Sequence, residues 1–259
     1  MSMNRIKMLF EYKTKNILSV YLTAGYPDIE STVEVIERLA ENGVDMIEIG
    51  IPYSDPLADG PVIQRTSQQA LENGMTISVL FEQLRVIRQR VSVPLVIMSY
   101  FNPILIYGFK RFCCKCKEVG IDGLIIPDLP FDEYLTNYKD IIKGKNLEFI
   151  SLITPQTSED RIRKIDTETD AFIYMVSSAS TTGNRDSFTS ENEEYFKRIK
   201  ELKLNNPCLI GFGVSNKVTY DQASHYSNGV IVGSRFMDSL KKGMDIDQAI
   251  KNLLSVLRG

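Results

Sequence analysis

The sequence predicts an α/β protein, a single TIM (β/α)8-barrel domain over residues 1–259 with an N-terminal helix and extra helices after strands 2 and 8. Three observations carry that prediction. The chain has 259 residues, the size of one such barrel and short for two ordinary domains. Eight short runs rich in Val, Ile, Leu and Met recur along it, nearly continuous as in strands buried on both faces of a parallel sheet. Amphipathic helical stretches separate them. A doubly wound open sheet is the alternative architecture, but it calls for a G-x-G-x-x-G turn after the first strand. Gly25-Tyr26-Pro27 is not that turn.

In chain order the expected strands are 17–23, 45–51, 93–99, 122–127, 148–154, 171–176, 208–212 and 229–232. Asp28 can N-cap a helix burying Val33, Ile36, Leu39 and Ala40 and ending at Asn42-Gly43. Thr76 opens another, with Leu80, Leu84, Ile87 and Val91 on one face, stopped before Pro94. The last helix starts at Asp245 and presents Ile246, Ile250, Leu253, Leu254 and Leu257 at core spacing.

Composition narrows the function. Thirty Lys and Arg against 33 Asp and Glu give a formal charge of −3, which is no footprint for nucleic acid or an anionic membrane. No run of eighteen apolar residues occurs, and the segment from Met1 to Lys7 leads into charge rather than a signal-peptide core. A cytoplasmic protein is expected. The single histidine, His225, reads as a solvated residue near a helix end and excludes multi-histidine zinc sites. Cys113, Cys114, Cys116 and Cys208 match no zinc spacing and read as reduced structural thiols.

Glu48 is the most informative residue. In Asp45-Met46-Ile47-Glu48-Ile49-Gly50-Ile51 the three isoleucines form one face, expected to pack on helices. Met46, Glu48 and Gly50 then point into the barrel. A carboxyl group there is costly unless paired or protonated, and no strand supplies an obvious inward-facing cation. A buried ion pair is the bland alternative; position at the catalytic end of a barrel strand favours chemistry. The next loop, through Pro52, Asp55, Asp59 and Pro61, carries three prolines and two glycines counted from Gly50. Its aspartates are either turn formers or the second half of a paired-carboxylate site. Gly211-Phe212-Gly213-Val214-Ser215 and Gly233-Ser234 follow the last two strands, where barrels commonly bind phosphate through backbone N–H groups. The small, polar segment 177–189 is an idle loop or a mobile lid, and its position at the active face favours the lid.

Together these motifs resemble the tryptophan synthase α-subunit family over essentially the full chain. Glu48-Ile49-Gly50-Ile51-Pro52-Tyr53-Ser54-Asp55-Pro56-Leu57-Ala58-Asp59-Gly60-Pro61 is the most specific match. Leu22-Thr23-Ala24-Gly25-Tyr26-Pro27, Tyr100-Phe101-Asn102-Pro103, Ile126-Pro127-Asp128-Leu129-Pro130 and Thr182-Gly183 support it, with both phosphate-type motifs. The resemblance implies a carbon–carbon lyase of L-tryptophan biosynthesis, cleaving indole-3-glycerol phosphate to indole and glyceraldehyde 3-phosphate. It implies Glu48 as general acid–base and Asp59 as the group that binds the indole N–H. Tyr21, Tyr174, Thr182 and Phe212 are then expected around the substrate, with Gly183, Gly213, Gly233 and Ser234 at its phosphate. A tryptophan synthase β subunit is the expected partner in an α2β2 assembly, meeting this chain near Pro52, Asp55, Asn102 and Asp128. The cofactor, pyridoxal phosphate, is expected in that β subunit and none in this chain; no metal, nucleic acid or membrane is implied. One departure is Ser180, which stands where the family lid has its first glycine. A free-standing lyase and a catalytically idle allosteric subunit are the alternative functions.

Overall fold

A computed structural model describes residues 3–177, 187–241 and 243–259. Strands β1 (Ile17–Thr23), β2 (Met46–Gly50), β3 (Leu95–Met98), β4 (Gly123–Ile125), β5 (Glu148–Ile150), β6 (Leu152–Ile153), β7 (Ile173–Val176), β8 (Cys208–Gly211) and β9 (Gly229–Val232) form one sheet in the order β5-β4-β3-β2-β1-β9-β8-β7-β6. Every pairing is parallel. β5 and β6 are two halves of one run, interrupted at Ser151. The first half pairs back to β4 and the second forward to β7, and the Tyr174 N–H donates to the Ser151 carbonyl at 3.0 Å. The chain through Ser151 therefore closes an eight-stranded barrel, with β9 as its eighth member.

Side-chain alternation divides the apolar residues into two layers. Ile47, Ile49 and Ile51 belong to the cluster between sheet and helices, as their spacing predicts. Met46, Val96, Ile125, Ile150, Leu209 and Ile231 form a separate cluster inside the barrel. The helix Arg5–Tyr12 supplies Ile6, with Leu9 and Phe10, to this inner cluster. Phe10 meets Phe172 with ring centroids 5.8 Å apart. Asn4 Nδ2 donates to the carbonyls of Asp122 and Asn146, both at 2.8 Å, and the buried Asp122 carboxylate pairs with Arg5 and Arg88. Asp122 and Asn146 sit just before β4 and β5, so the N-terminal helix closes the end of the barrel where the strands begin.

Helices Pro61–Glu72 and Ile77–Gln83 both follow β2, and Ser234–Ser239 precedes the final helix Ile246–Arg258, so both expected additions are present. Thr76 and Asp245 cap their helices through their side chains. Asp28 does not cap the next helix. That helix begins at Ser31, with Glu30 at its cap position making no side-chain bond. The Asp28 carbonyl instead accepts from the Ser31 N–H in a turn, which delays the helix by a few residues. The crossover after β3 also holds two helices, Phe101–Tyr107 and Phe109–Val119, split at Gly108 whose φ of 94° breaks helical geometry. His225 is exposed near the end of Lys217–Tyr226. Cys113, Cys116 and Cys208 are buried and Cys114 exposed, all four as free thiols. Among the described residues no helix is long and apolar enough to cross a membrane.

Candidate active site

The site grows out of the inward-facing positions at the C-terminal ends of the strands. Register places Tyr21 of β1 beside Glu48 of β2, and Thr23 beside Gly50. Glu48 is fully buried. Ser19 Oγ donates to Glu48 Oε1 at 3.0 Å, while Oε2 is buried with no hydrogen-bond partner among the described residues. Loss of solvent pushes the Glu48 carboxyl up to about 8, and the Ser19 bond only partly offsets this. At neutral pH the group holds its proton, which resolves the cost of placing it there without a cation.

Asp59 sits on the loop after β2 and is tied down by Tyr100, the first residue of the β3 loop to enter a helix cap. The Tyr100 hydroxyl accepts from the Leu57 and Ala58 N–H groups, each at 3.1 Å, and donates to Asp59 Oδ2 at 3.2 Å. One phenol thus uses both lone pairs and its proton to hold a rigid loop against a neighbouring crossover. Burial raises the Asp59 carboxyl and the Tyr100 bond lowers it, with burial the larger effect. Burial also raises Tyr100, to about 12, so its hydroxyl remains a donor.

Two tyrosines complete the interior. Burial, then the nearby Asp59, lifts Tyr21 above the ordinary range; burial, then Glu48 and Tyr21, does the same for Tyr174. Both rings depend on a glycine across the sheet. A Cβ on Gly50 would lie 2.0 Å from the Tyr21 hydroxyl, and one on Gly211 would lie 2.2 Å from that of Tyr174. Phe212 stands edge-on to Tyr174 at 6.1 Å. Its φ is 64°, followed by Gly213 at 80°, so two consecutive left-handed residues turn the chain over the barrel. Ser177 Oγ fixes this turn by donating to the Phe212 carbonyl at 2.6 Å, and Asn192 Nδ2 donates in turn to the Ser177 carbonyl. Gly233 packs on Tyr21, where its missing Cβ would be 3.4 Å from that of the tyrosine. Ser234 begins the short helix that follows.

The structure therefore brings Tyr21, Glu48, Asp59, Tyr174, Phe212 and Gly233 to one end of the barrel, with Gly213 and Ser234 on the adjoining loops. Thr182, Gly183 and the departure at Ser180 lie outside the described residues. Asp55 and Asn102 are exposed on the same end, whereas Pro52 is buried and Asp128 partly so. Asp128 Oδ1 accepts from the Phe101 N–H at 2.8 Å. Among the described residues no group of three or more His, Cys, Asp or Glu is arranged to hold a metal. Sequence reading missed two contributors. Ser19 was discoverable as an inward position of β1, two residues before Tyr21. Tyr100 belongs to the Tyr100-Phe101-Asn102-Pro103 motif, but only the folded loop reveals what its hydroxyl touches.

Comparison with known proteins agrees over the whole chain. The family model described as "Tryptophan synthase alpha chain" matches residues 9–258. The tryptophan synthase alpha chain of Bacteroides thetaiotaomicron is 53% identical over 256 residues, covering 99% of this chain and 100% of that relative. The alpha chain of Flavobacterium psychrophilum is 57% identical over 238 residues, 92% of this chain and 94% of its own length. Among solved structures, tryptophan synthase subunit alpha from Legionella pneumophila superposes with a TM-score of 0.88 at 31% identity, covering 99% of this chain and 98% of that one. A chain in the tryptophan synthase complex from Pyrococcus furiosus does so with a TM-score of 0.85 at 31% identity, over 95% and 98% of the two chains.

Proposed function

The chain belongs to the tryptophan synthase alpha chain family, and from that premise we propose that it cleaves indole-3-glycerol phosphate to indole and glyceraldehyde 3-phosphate. Membership makes it an enzyme subunit of tryptophan synthesis. The reaction, the residue roles and the partner are our reading. The observation that carries it is a fully buried carboxyl group whose burial favours its protonated form, with a second carboxyl, on a loop held by Tyr100, acting on the same buried Tyr21.

Breaking a carbon–carbon bond needs somewhere for the electron pair to go. A protonated indole ring is such a place. Neutral Glu48 delivers its proton to the ring carbon that bears the glycerol chain, leaving positive charge on the ring nitrogen. Asp59, as an anion, accepts the N–H hydrogen bond and stabilises that charge. Glu48, now a carboxylate, takes the proton of the adjacent side-chain hydroxyl. The carbon–carbon bond then breaks, its electrons restore the neutral ring, and the aldehyde leaves. Tyr21, Tyr174 and Phe212 supply flat apolar walls for indole. Backbone N–H groups at Gly213, Gly233 and Ser234 hold the phosphate, and the family resemblance alone gives Gly183 a phosphate role and Thr182 a substrate role. No step needs a cofactor from this chain. Pyridoxal phosphate belongs to the expected β subunit, which meets the end of the barrel bearing Pro52, Asp55, Asn102 and Asp128.

The test is release of indole from indole-3-glycerol phosphate, followed by fluorescence against a chain that contains no tryptophan. Wild type should release indole and Glu48→Gln should release none detectable. Asp59→Asn should still bind substrate but turn over about 100-fold slower or worse. Wild-type turnover by Glu48→Gln would remove Glu48 from the mechanism.

A further inference from the structure

A cavity of about 260 Å³ lies outside the barrel wall between β4–β6 and the helices that cover them. Ile126, Leu129, Phe131, Phe149 and Ile165 are among its lining residues, and all five belong to the layer between sheet and helices rather than to the barrel interior. Ser151, at the break between β5 and β6, also lines it. Ser151 is only 6% exposed, and its Oγ is buried with no hydrogen-bond partner among the described residues. Its backbone carbonyl is already taken by the Tyr174 N–H at 3.0 Å.

The two other polar side chains on the wall, Thr157 and Arg161, each have a partner. Thr157 Oγ1 accepts from the Thr154 N–H at 2.9 Å. The Arg161 guanidinium donates to Asp132 at 2.9 Å and lies over the Phe131 ring, 5.0 Å from its centroid. An ionic ligand would find no free countercharge and would lose its hydration. A long one would exceed the space, which is slightly smaller than the usual small-molecule site. We propose that this cavity binds a small neutral ring compound, of one or two rings, whose single polar group hydrogen-bonds the Ser151 hydroxyl while its faces pack on Leu129, Phe131 and Phe149. The cavity lies outside the barrel wall, whereas Glu48 points inside it, and the proposal does not depend on the lyase reading.

The test uses 4-fluorophenol as probe on the full chain, watched by fluorine NMR and by the methyl signals of Ile126, Leu129 and Ile165. Saturable shifts of those methyls are expected at millimolar probe. Ser151→Ala should weaken binding about fivefold, the worth of one hydrogen bond. Fluorobenzene should bind wild type and Ser151→Ala alike, because it has no polar group to lose. Ser151→Ala removes an unsatisfied hydroxyl and should melt no lower than wild type, so its folding is not at risk. Ile165→Trp should fill the space and abolish binding. Absence of saturable methyl shifts, or unchanged affinity in Ser151→Ala, would overturn the proposal, the latter meaning that the hydroxyl is met by water instead. No turnover is measured, so a failure here and a failure of the lyase reading are told apart directly.

Discussion

Glu48 has one bonded and one unbonded carboxyl oxygen in full burial, and that asymmetry sets its proton affinity. Lyase turnover should therefore fall as pH rises through about 8, where the acid is lost, and fall again at low pH as Asp59 gains its proton. The Ser19 bond favours the charged form, so Ser19→Ala should move the alkaline limb upward; a limb left in place would exclude Glu48 as its source. Stability carries the same signature. Between the unfolded value near 4.5 and the folded value near 8, the folded chain keeps a proton that the unfolded chain releases. This contribution is complete below the lower value and is lost as pH rises through the upper one. Glu48→Gln has no proton to lose, so its advantage over wild type in urea melts should grow across that window to roughly a few kcal/mol and then level off. Tyr100→Phe is a different kind of change. It strands the Leu57 and Ala58 N–H groups and frees Asp59 Oδ2 while leaving the ring in place. About tenfold loss in kcat is expected, with little effect on KM for substrate held mainly through its phosphate. Unchanged kcat would mean that the loop keeps its shape by its prolines alone.

At the scale of elements, two pairs of neighbouring strands repeat one device, a tyrosine lying over a glycine. Gly50 has no room for a Cβ beneath Tyr21, and Gly211 none beneath Tyr174. Gly50→Ala should thus push the Tyr21 ring toward the site and lower kcat/KM at least tenfold, with circular dichroism unchanged. Wild-type kcat/KM in that variant would show that the ring has another place to go. Much of this was legible in advance. The runs 17–23 and 229–232 are strands over their full predicted length, because apolar, largely β-branched segments ending at turn signals have few other uses. The remaining strands lose residues at their ends, and the run 148–154 is also broken at Ser151, where the ladder changes partner from β4 to β7. The aim of Glu48 followed from alternation alone. Asp28 misled because aspartate before a helix serves equally well in a turn. The roles of Ser19 and Tyr100 were hidden for a deeper reason: one depends on register between two strands, the other on a loop folding back across the barrel end, and neither is a local property of the chain.

The whole molecule has two unlike ends. Where the strands begin, the N-terminal helix and the Asp122 pairs with Arg5 and Arg88 seal the barrel. Where the strands finish, apolar side chains face outward: Leu57 and Ile106 are each 80% exposed and Leu105 is 45% exposed. Leu57 sits on the Asp59 loop and the other two on the helix after Tyr100, alongside Asn102. Asn102 Nδ2 reaches the Tyr53 hydroxyl at 3.5 Å, Tyr53 packs on Tyr100 with centroids 5.2 Å apart, and Tyr100 holds Asp59. A partner pressing on this end meets a continuous set of contacts leading to one of the two carboxyl groups. Adding the β subunit should therefore speed indole release by about tenfold or more, since ~1.4 kcal/mol of preference for the competent arrangement suffices. Ile106→Asp removes an apolar contact of about 1.5–3 kcal/mol on burial, so it should weaken the complex by roughly one to two orders of magnitude. Because Ile106 lies outside the Tyr53–Tyr100–Asp59 contacts, the isolated variant should turn over like isolated wild type, and excess β subunit should restore the faster rate. Equal rates for the isolated chain and the mixture would instead make this chain a free-standing lyase whose carboxyl pair needs no help from outside.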